Sequence, residues 1–265
     1  MVNLLVAAAL AAAIPTSVPA PPSGDQPAMF VVRDADTTVY IFGTFHALDG
    51  HANWLKSPVR DALEQSDELV LETVIPEQPR PVEATPGYHG PSVTPSASFL
   101  ATTRMAISAG RSQGMQVGNG ADMVLRHLAE AEGKPVEGLE TLQLQLDMFN
   151  RMPATMTPAV AKPAATAVAT NQMESLSRAM TAMQSAWKRG DQSVFVSMLN
   201  QLKGASPDTY RMMFTERNER WADWIRARMQ TPGTVFVAVG AGHLAGQDSL
   251  LVRLAERGIP SHRVN

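Results

Sequence analysis

Two segments near opposite ends of the chain share one pattern, a strand-like run that ends in Gly-x-x-His. Residues 39–46 read Val-Tyr-Ile-Phe-Gly-Thr-Phe-His, and residues 235–243 read Val-Phe-Val-Ala-Val-Gly-Ala-Gly-His. An apolar run of β-branched and aromatic residues that stops at glycine predicts a buried strand ending in a sharp turn. Glycine lets the backbone turn tightly or approach another group closely. We therefore expect His46 and His243 to lie just beyond the ends of two strands.

A third run, Glu-Leu-Val-Leu-Glu at 68–72, has the same shape and ends in the carboxylate of Glu72. Residues 55–65 have the apolar spacing of a helix, so strand, helix and strand predict a right-handed parallel βαβ unit. Parallel strands would bring His46 and Glu72 to one edge of the sheet. Because ligands of open α/β sheets bind beyond the carboxyl ends of the strands, this edge is the predicted active or metal site.

The remaining pattern predicts a single α/β domain over residues 29–265. Its central sheet would be mixed and largely parallel, flanked by helices, with a mainly helical insertion from about 96 to 230. A Pro-rich loop is expected at 76–95. Further strands are expected at 29–33, 135–139, 234–239 and near 262, and helices at 96–110, 121–132, 142–152, 159–189, 206–230 and 248–257.

The N-terminus has the composition of a secretory signal. Residues 1–14 carry no charged side chain and are mostly Ala, Leu and Val, a run too short to span a bilayer comfortably. Small residues at 18–20 suit a signal-peptidase cut, so we expect a signal peptide at 1–20, a Pro-rich linker at 21–28, and export to the periplasm or beyond without a stable membrane anchor. The alternative is a buried N-terminal helix.

The composition argues against several classes of function. The absence of cysteine excludes disulfides, a thiolate nucleophile and cysteine metal ligands. The net charge of −3 and the lack of a Lys/Arg cluster argue against a nucleic-acid partner. The expected partner is a peptide or a small-molecule substrate.

The residues at the predicted edge allow two chemistries. His46, Glu72 and His243 could hold a divalent transition metal such as Mn, Co or Zn, which would activate a water and polarise a carbonyl. One histidine could instead act as a general base without metal, its pKa tuned by Glu72. Ordinary strand-end residues are the third interpretation, but the recurrence of Gly-x-x-His favours a function.

Two features of the second half point less sharply to the site. Arg217 and Asn218 lie along the apolar stripe of the predicted helix 206–230, either as satisfied structural contacts or as groups that reach the site. Methionines are frequent between 148 and 198. Adaptable core packing is the favoured interpretation of these methionines, and a pliable peptide-binding groove is the alternative.

Six motifs follow one another along the chain. They are Gly43-Thr-Phe-His46, Asp67-Glu-Leu-Val-Leu-Glu72, Gly138-Leu-Glu140-Thr141 with Gln145, Trp187-x-x-Gly190-Asp191, Arg217-Asn218 with Trp221, and Gly240-Ala-Gly-His243-Leu-x-Gly246. This ordered set resembles the TraB/PrgY/GumN family, which includes the Tiki metalloproteases that act on Wnt proteins. It most resembles the bacterial GumN-like branch, whose members are typically exported. The chain departs from the family pattern at Ala47, where a larger aliphatic residue is usual, and in the loop at 76–95.

The resemblance implies a fold similar to erythromycin-esterase and ChaN-like proteins. It implies catalytic or metal-binding roles for His46, Glu72 and His243, and site roles for the helical pair Arg217 and Asn218. Glu140 matches the glutamate of the family's middle strand. The Tiki branch also implies metal-dependent proteolysis.

The leading hypothesis is therefore an exported, metal-dependent, peptidase-like hydrolase. His46, Glu72 and His243 would bind the metal, with Glu72 alternatively the general base, and Arg217 could stabilise a developing oxyanion. The alternatives are a non-catalytic periplasmic protein that binds a peptide or haem, and a metal-free esterase-like hydrolase with a histidine base.

Overall fold

The protein, seen in a computed structural model that describes residues 26–51, 53–75, 108–151 and 166–265, is built on a six-stranded sheet. The strand order is β4-β3-β5-β2-β1-β6. Strands β4, β3, β5 and β2 run parallel, whereas β1 and β6 are antiparallel to their neighbours. The predicted α/β class with a mixed, largely parallel sheet flanked by helices is confirmed. The strands are β1 (Met29–Arg33), β2 (Thr37–Thr44), β3 (Glu68–Thr73), β4 (Val136–Glu140), β5 (Gly233–Gly240) and β6 (His262–Arg263).

Helices cover both faces of the sheet. The central strand β5 is apolar along its length because its side chains alternate between two cores. Phe236 packs on the side of α1, α2, α4 and α5, whereas Val235 and Val237 pack against α7 and α8. The helices are α1 (Val59–Gln65), α2 (Ala121–Ala131), α3 (Leu142–Asn150), α4 (Thr166–Lys188), α5 (Ser193–Ala205), α6 (Pro207–Tyr210), α7 (Glu216–Arg228) and α8 (Leu250–Glu256), with a π-helical turn at Arg211–Thr215 between α6 and α7.

Three helices differ from the predictions. Helix α1 begins at Val59 rather than near 55, since Pro58 disfavours helical backbone in the residue before it. The helix predicted over 206–230 is one helical run that the π turn divides, and it ends at Arg228. Helix α5 was not predicted.

Some predictions concern residues outside the described ranges. The signal peptide at 1–20, most of the linker at 21–28, the loop at 76–95 and most of the helix at 96–110 belong to this group, as do residues 159–165 of the predicted helix 159–189. Among the residues that are described, no helix combines the length and the apolar character needed to cross a membrane.

The strand register fixes where the site forms. Thr44 at the end of β2 pairs with Gly240 at the end of β5, and Leu71 of β3 pairs with Ala238. The carboxyl ends of β2, β5 and β3 therefore meet at one edge, with β5 between the other two. His46 follows β2 and Glu72 lies on β3, so the two residues flank the central strand.

Candidate active site

A cavity of about 490 Å³ opens at this edge of the sheet, and four of the predicted site residues line it: His46, Glu72, Arg217 and His243. Three of them converge on Gly240. A Cβ atom placed on that glycine would lie 3.0 Å from Glu72 Oε1, 3.5 Å from His46 Nε2 and 3.7 Å from His243 Cδ2. Glycine at this position therefore leaves room for the three side chains to meet at the end of β5.

His243 is buried in the short 3₁₀ turn that follows β5, between the rings of Phe214 and Trp221. Its Nδ1 lies 2.7 Å from Asn218 Oδ1, while the Asn218 amide donates to the backbone carbonyl of Asp248 at 2.7 Å. Because the Asn218 NH₂ group is used on Asp248, its oxygen must accept, and His243 Nδ1 carries the proton. The Nε2 lone pair of His243 is left facing the cavity side.

Burial sets the protonation state of His243. Removal from water disfavours the imidazolium, the charge of Glu72 opposes that effect, and the nearby Arg217 adds to it, so that the pKa falls to about 3. The ring is therefore neutral near pH 7. Its Nε2 lies 3.2 Å from Arg217 Nη1, which donates to the lone pair.

Glu72 is an ionised carboxylate with both oxygens bonded. Oε1 accepts from the Gly240 backbone N–H at 2.5 Å, and Oε2 accepts from Arg217 Nη2 at 2.8 Å. Burial would raise the pKa of Glu72, but the neighbouring His243, Arg217 and His46 and the Gly240 bond lower it to about 2. Since His243 is neutral near pH 7, the permanent charge of Arg217 is the main group that keeps Glu72 ionised.

Arg217 lies at the centre of this network and is itself buried. Its Nε donates to Glu140 at 2.9 Å, its Nη2 lies within 2.9 Å of both Glu72 and Glu140, and its plane stacks 4.5 Å from the centre of the Trp221 ring. The Glu140 side chain is only 2% exposed and also pairs with Arg220. All three guanidinium nitrogens therefore bond protein groups, an arrangement that positions Glu72 and His243.

His46 differs from His243 in exposure and in charge. Its side chain is 61% exposed at the cavity wall, and its Nδ1 lies 3.2 Å from Asp122 Oδ1. The contact does not meet the geometry of a hydrogen bond, but the close carboxylate of Asp122 still favours the imidazolium. Desolvation opposes the imidazolium, but Asp122, with a smaller contribution from Glu72, raises the pKa of His46 to about 9. Because solvent reaches the exposed ring and weakens desolvation, Asp122 sets the direction of the shift.

A close backbone approach brings Asp122 to His46. A Cβ atom on Gly120 would lie 2.4 Å from the carbonyl oxygen of His46, so only glycine permits this contact. The N–H of Ala121 donates to Phe45 O at 2.9 Å and fixes the start of α2 against the loop after β2. Asp122, in the first turn of α2, is thereby held beside the imidazole.

The structure thus brings all six predicted residues into one network, although they play different geometric parts. His46, Glu72, Arg217 and His243 line the cavity, whereas Glu140 and Asn218 lie behind it and hold Arg217 and His243. Sequence reasoning missed Asp122. The sequence feature that could have indicated Asp122 is Gly-Ala-Asp at a helix start, where acidic residues are common and where glycine permits a close backbone approach.

The π turn was also missed. It carries Met213 and Phe214 into the cavity wall, and the carbonyl of Met213 accepts from Arg217 Nη1 at 3.4 Å. Single π turns inside α-helices occur frequently at functional sites. The π turn here ends two residues before Arg217, where the helical run meets the cavity.

The donor types suit a divalent metal. Histidine ligands of metals usually give their second ring nitrogen to a carboxylate or carbonyl oxygen, as His243 does with Asn218, and the carboxylate of Asp122 lies 3.2 Å from the second nitrogen of His46. Glu72 adds a carboxylate. Within the described ranges, however, no three ligating side chains are spaced as a ready-made metal group. Arg217 lies among these donors and would share Glu72 and His243 with any bound cation.

Comparison with known proteins identifies the family. The model of the TraB/PrgY/gumN family matches residues 28–88 and 88–263, which is nearly the whole chain after the N-terminal segment. The chain therefore belongs to the TraB/PrgY/gumN family. No curated protein and no solved structure was found to match it.

Proposed function

We propose that the chain is a hydrolase of carbonyl substrates, peptidase-like, whose reacting groups are His46, Glu72 and His243. The observation that carries the proposal is the convergence of two imidazoles and an ionised carboxylate around Gly240 at the end of a cavity. Pockets with a few convergent polar groups of perturbed pKa are the usual location of catalysis.

The site residues have different roles in the proposed reaction. The buried His243 and Glu72 are fixed by Asn218 and Arg217, so their positions are set before a substrate arrives. His46 is exposed to the cavity, and its Nε2 is the atom that can exchange a proton with a substrate or water. Without a bound metal, proton transfer to or from the reacting centre is therefore assigned to His46, because a metal ligated by this residue would occupy the same nitrogen.

The donor chemistry supports a divalent metal, Mn, Co or Zn, as the cofactor in this proposal, held by His46, Glu72 and His243. A bound dication would supply a Lewis acid that polarises the scissile carbonyl. The ligating imidazoles must be neutral, so His46 would have to release its proton, and metal affinity should increase with pH up to about 9.

A metal-free hydrolase is the second candidate, and one contact favours it. Arg217 Nη1 donates to the only free lone pair of His243, and Arg217 Nη2 bonds Glu72, so a protein cation already occupies both donors. In this version the neutral fraction of His46 is the general base, oriented by Asp122, and no metal is required.

Metal analysis and cleavage assays separate these functions. Protein purified without chelator would be compared with His46→Ala and His243→Ala variants, and with His262→Ala, which removes an exposed histidine on the far strand β6. A peptide library would be incubated with each protein, with and without added Mn, Co or Zn.

The outcomes are distinct. Stoichiometric metal and cleavage that are both lost in the site variants, but kept in His262→Ala, support the metal-dependent hydrolase. Cleavage that chelator does not change supports the metal-free candidate. Tight binding of peptide or haem without any turnover would contradict both and would support a binding protein.

We further propose that the protein is exported, on the strength of the uncharged apolar segment at 1–14 and the small residues at 18–20. Expression of the full chain in a bacterium, followed by fractionation and N-terminal sequencing, tests this proposal. A processed protein in the periplasm or medium is expected. An unprocessed protein found only in the cytoplasm would contradict it.

A further inference from the structure

The cavity is apolar except at the end that holds the reacting groups. Its wall is formed by Phe45, two residues of α4, two of α5 and two of the π turn, and four of these side chains are methionines: Met180, Met183, Met198 and Met213. Three of the methionines that the sequence suggested as core or groove residues are therefore wall residues. Methionine is flexible and polarisable, which suits a wall that adapts to apolar groups of different shape.

Exposed apolar surface is concentrated at the same place. Among the described residues, five large hydrophobic side chains are exposed, and two of them, Ile75 at 58% and Met198 at 36%, line this cavity. A third, Leu144, is next to Gln145, which also lines it. An apolar patch that surrounds a catalytic cavity marks a binding surface for an apolar ligand.

Two hydroxyl groups beside the reacting centre lack partners. Thr44 Oγ1 and Thr73 Oγ1 are buried and make no hydrogen bond within the described part of the chain, and both residues line the cavity. An unpaired buried hydroxyl is costly, and most buried polar groups are bonded. Thr44 ends β2 and Thr73 ends β3, so the hydroxyls lie on either side of β5. Both oxygens are closed to solvent in the free protein, so each side chain would turn about χ1 toward the cavity to bond polar atoms of a ligand next to the scissile group.

From these observations we infer that the substrate is a peptide with a large uncharged apolar side chain next to the scissile bond. The methionine-rich wall receives that side chain, and Thr44 and Thr73 bond the amide groups around it. The claim that this side chain lies next to a bond that is cleaved rests on the proposed function. The preference for an apolar side chain in binding does not depend on turnover. A simple acyl chain shares the apolar chemistry but offers fewer amide groups to the two hydroxyls.

Binding to a His46→Ala protein tests the inference without requiring catalysis. Calorimetry would measure the Kd of blocked tripeptides Ala-X-Ala, with X as Ala, Leu, Phe, Asp or Lys, and of hexanoyl methylamide as the acyl probe. Affinity should increase with apolar size, up to roughly fourfold for each buried methylene, and should be weakest for Asp and Lys. Equal affinity across the series would overturn the apolar subsite.

Further substitutions test whether the apolar preference arises in the cavity. In the His46→Ala background, Met198→Trp should remove the preference for Leu and Phe. Val264→Trp introduces the same side chain at an exposed residue outside the cavity and should leave the preference unchanged. Thr73→Val should weaken the Leu peptide roughly threefold to tenfold and the acyl probe much less. A tighter Kd for the acyl probe than for the Leu peptide would overturn the assignment to a peptide.

Measurements of cleavage and of binding test the hydrolase function and the apolar subsite separately. Cleavage of the Leu and Phe peptides by the unmodified protein tests the proposed function. An apolar preference in binding with no cleavage would reject the hydrolase and keep the subsite. Cleavage with no apolar preference would reject the subsite and keep the hydrolase.

Discussion

Replacement of Arg217 by methionine is the sharpest test of the buried charge network. Arg217→Met keeps much of the packing volume of the side chain but removes a buried cation that contacts both Glu72 and Glu140. The matched control is Arg220→Met on the same helix. Arg220 also bonds Glu140, at 3.0 Å, but its own side chain is 49% exposed.

The expected magnitudes differ because the two arginines differ in burial. Removing one partner of a buried ion pair typically costs about 3–5 kcal/mol of unfolding free energy. The pKa of Glu72, lowered from 4.5 to about 2, corresponds to about 3 kcal/mol for all its neighbours together, since each pKa unit is about 1.4 kcal/mol, and Arg217 supplies part of that total. We expect a loss of that order for Arg217→Met at pH 7. The half-exposed Arg220 should contribute about 1 kcal/mol or less.

The same reasoning fixes the pH dependence. A carboxylate with a lowered folded-state pKa stabilises the protein above its unfolded pKa, here about 4.5, and the stabilisation is lost as pH falls towards 2. In Arg217→Met, Glu72 loses this stabilisation and binds a proton more readily. The stability gap between the wild type and Arg217→Met should therefore be largest at neutral pH and should narrow as pH falls below about 4.5.

Urea unfolding followed by tryptophan fluorescence provides the measurement, because Trp54, Trp187 and Trp221 are buried. Both variants and the wild type would be unfolded at several pH values between 7 and 3. The reasoning is refuted if Arg217→Met is no less stable than Arg220→Met at pH 7. It is also refuted if the gap to the wild type stays constant as pH falls.

Three further predictions follow from the site. Asp122→Asn should lower the pKa of His46, so the wild type's stability advantage, greatest below pH 6.5, should decline as pH rises to about 9; parallel urea curves across that range would contradict this. Asn218→Leu leaves the His243 Nδ1–H buried and unpaired and should cost about 1–3 kcal/mol in urea unfolding together with most of the turnover, so unchanged stability would count against the tautomer assignment. Gly240→Ala should abolish turnover and lower the Tm, since its φ of −54° tolerates alanine but the new Cβ would lie 3.0 Å from the buried Glu72 Oε1 and would displace that carboxylate; a fully active variant would argue against the convergence point.

Much of the site was readable from sequence because strand ends are simple to recognise. The apolar runs before His46, Glu72 and His243 predict strands, and parallel strands must end at one edge. The order of those strands was not readable. That β5 lies between β2 and β3 depends on long crossover connections, which local pattern does not encode.

Side-chain partners were harder to predict than positions. Helical spacing placed Arg217 and Asn218 on the inward face of their helix, but it could not show that Arg217 bonds Glu72, Glu140 and His243 together. These partners come from three separate strands or turns. The distance between Asp122 and His46 was likewise hidden, because it depends on a backbone contact across 74 positions of sequence that only the folded chain reveals.

The network fixes the other site residues, so His46 is the site residue whose protonation state can change. His243 is neutral and buried. Glu72 is ionised and accepts a hydrogen bond at each oxygen, and Arg217 is hydrogen-bonded to protein groups. Among the described residues that meet at Gly240, only the imidazole of His46 is largely exposed. A metal would require His46 to lose its proton, and so would general-base catalysis, so both mechanisms become more active as pH rises towards the pKa of His46. A pH profile therefore cannot separate them, whereas sensitivity to chelator at a fixed pH can.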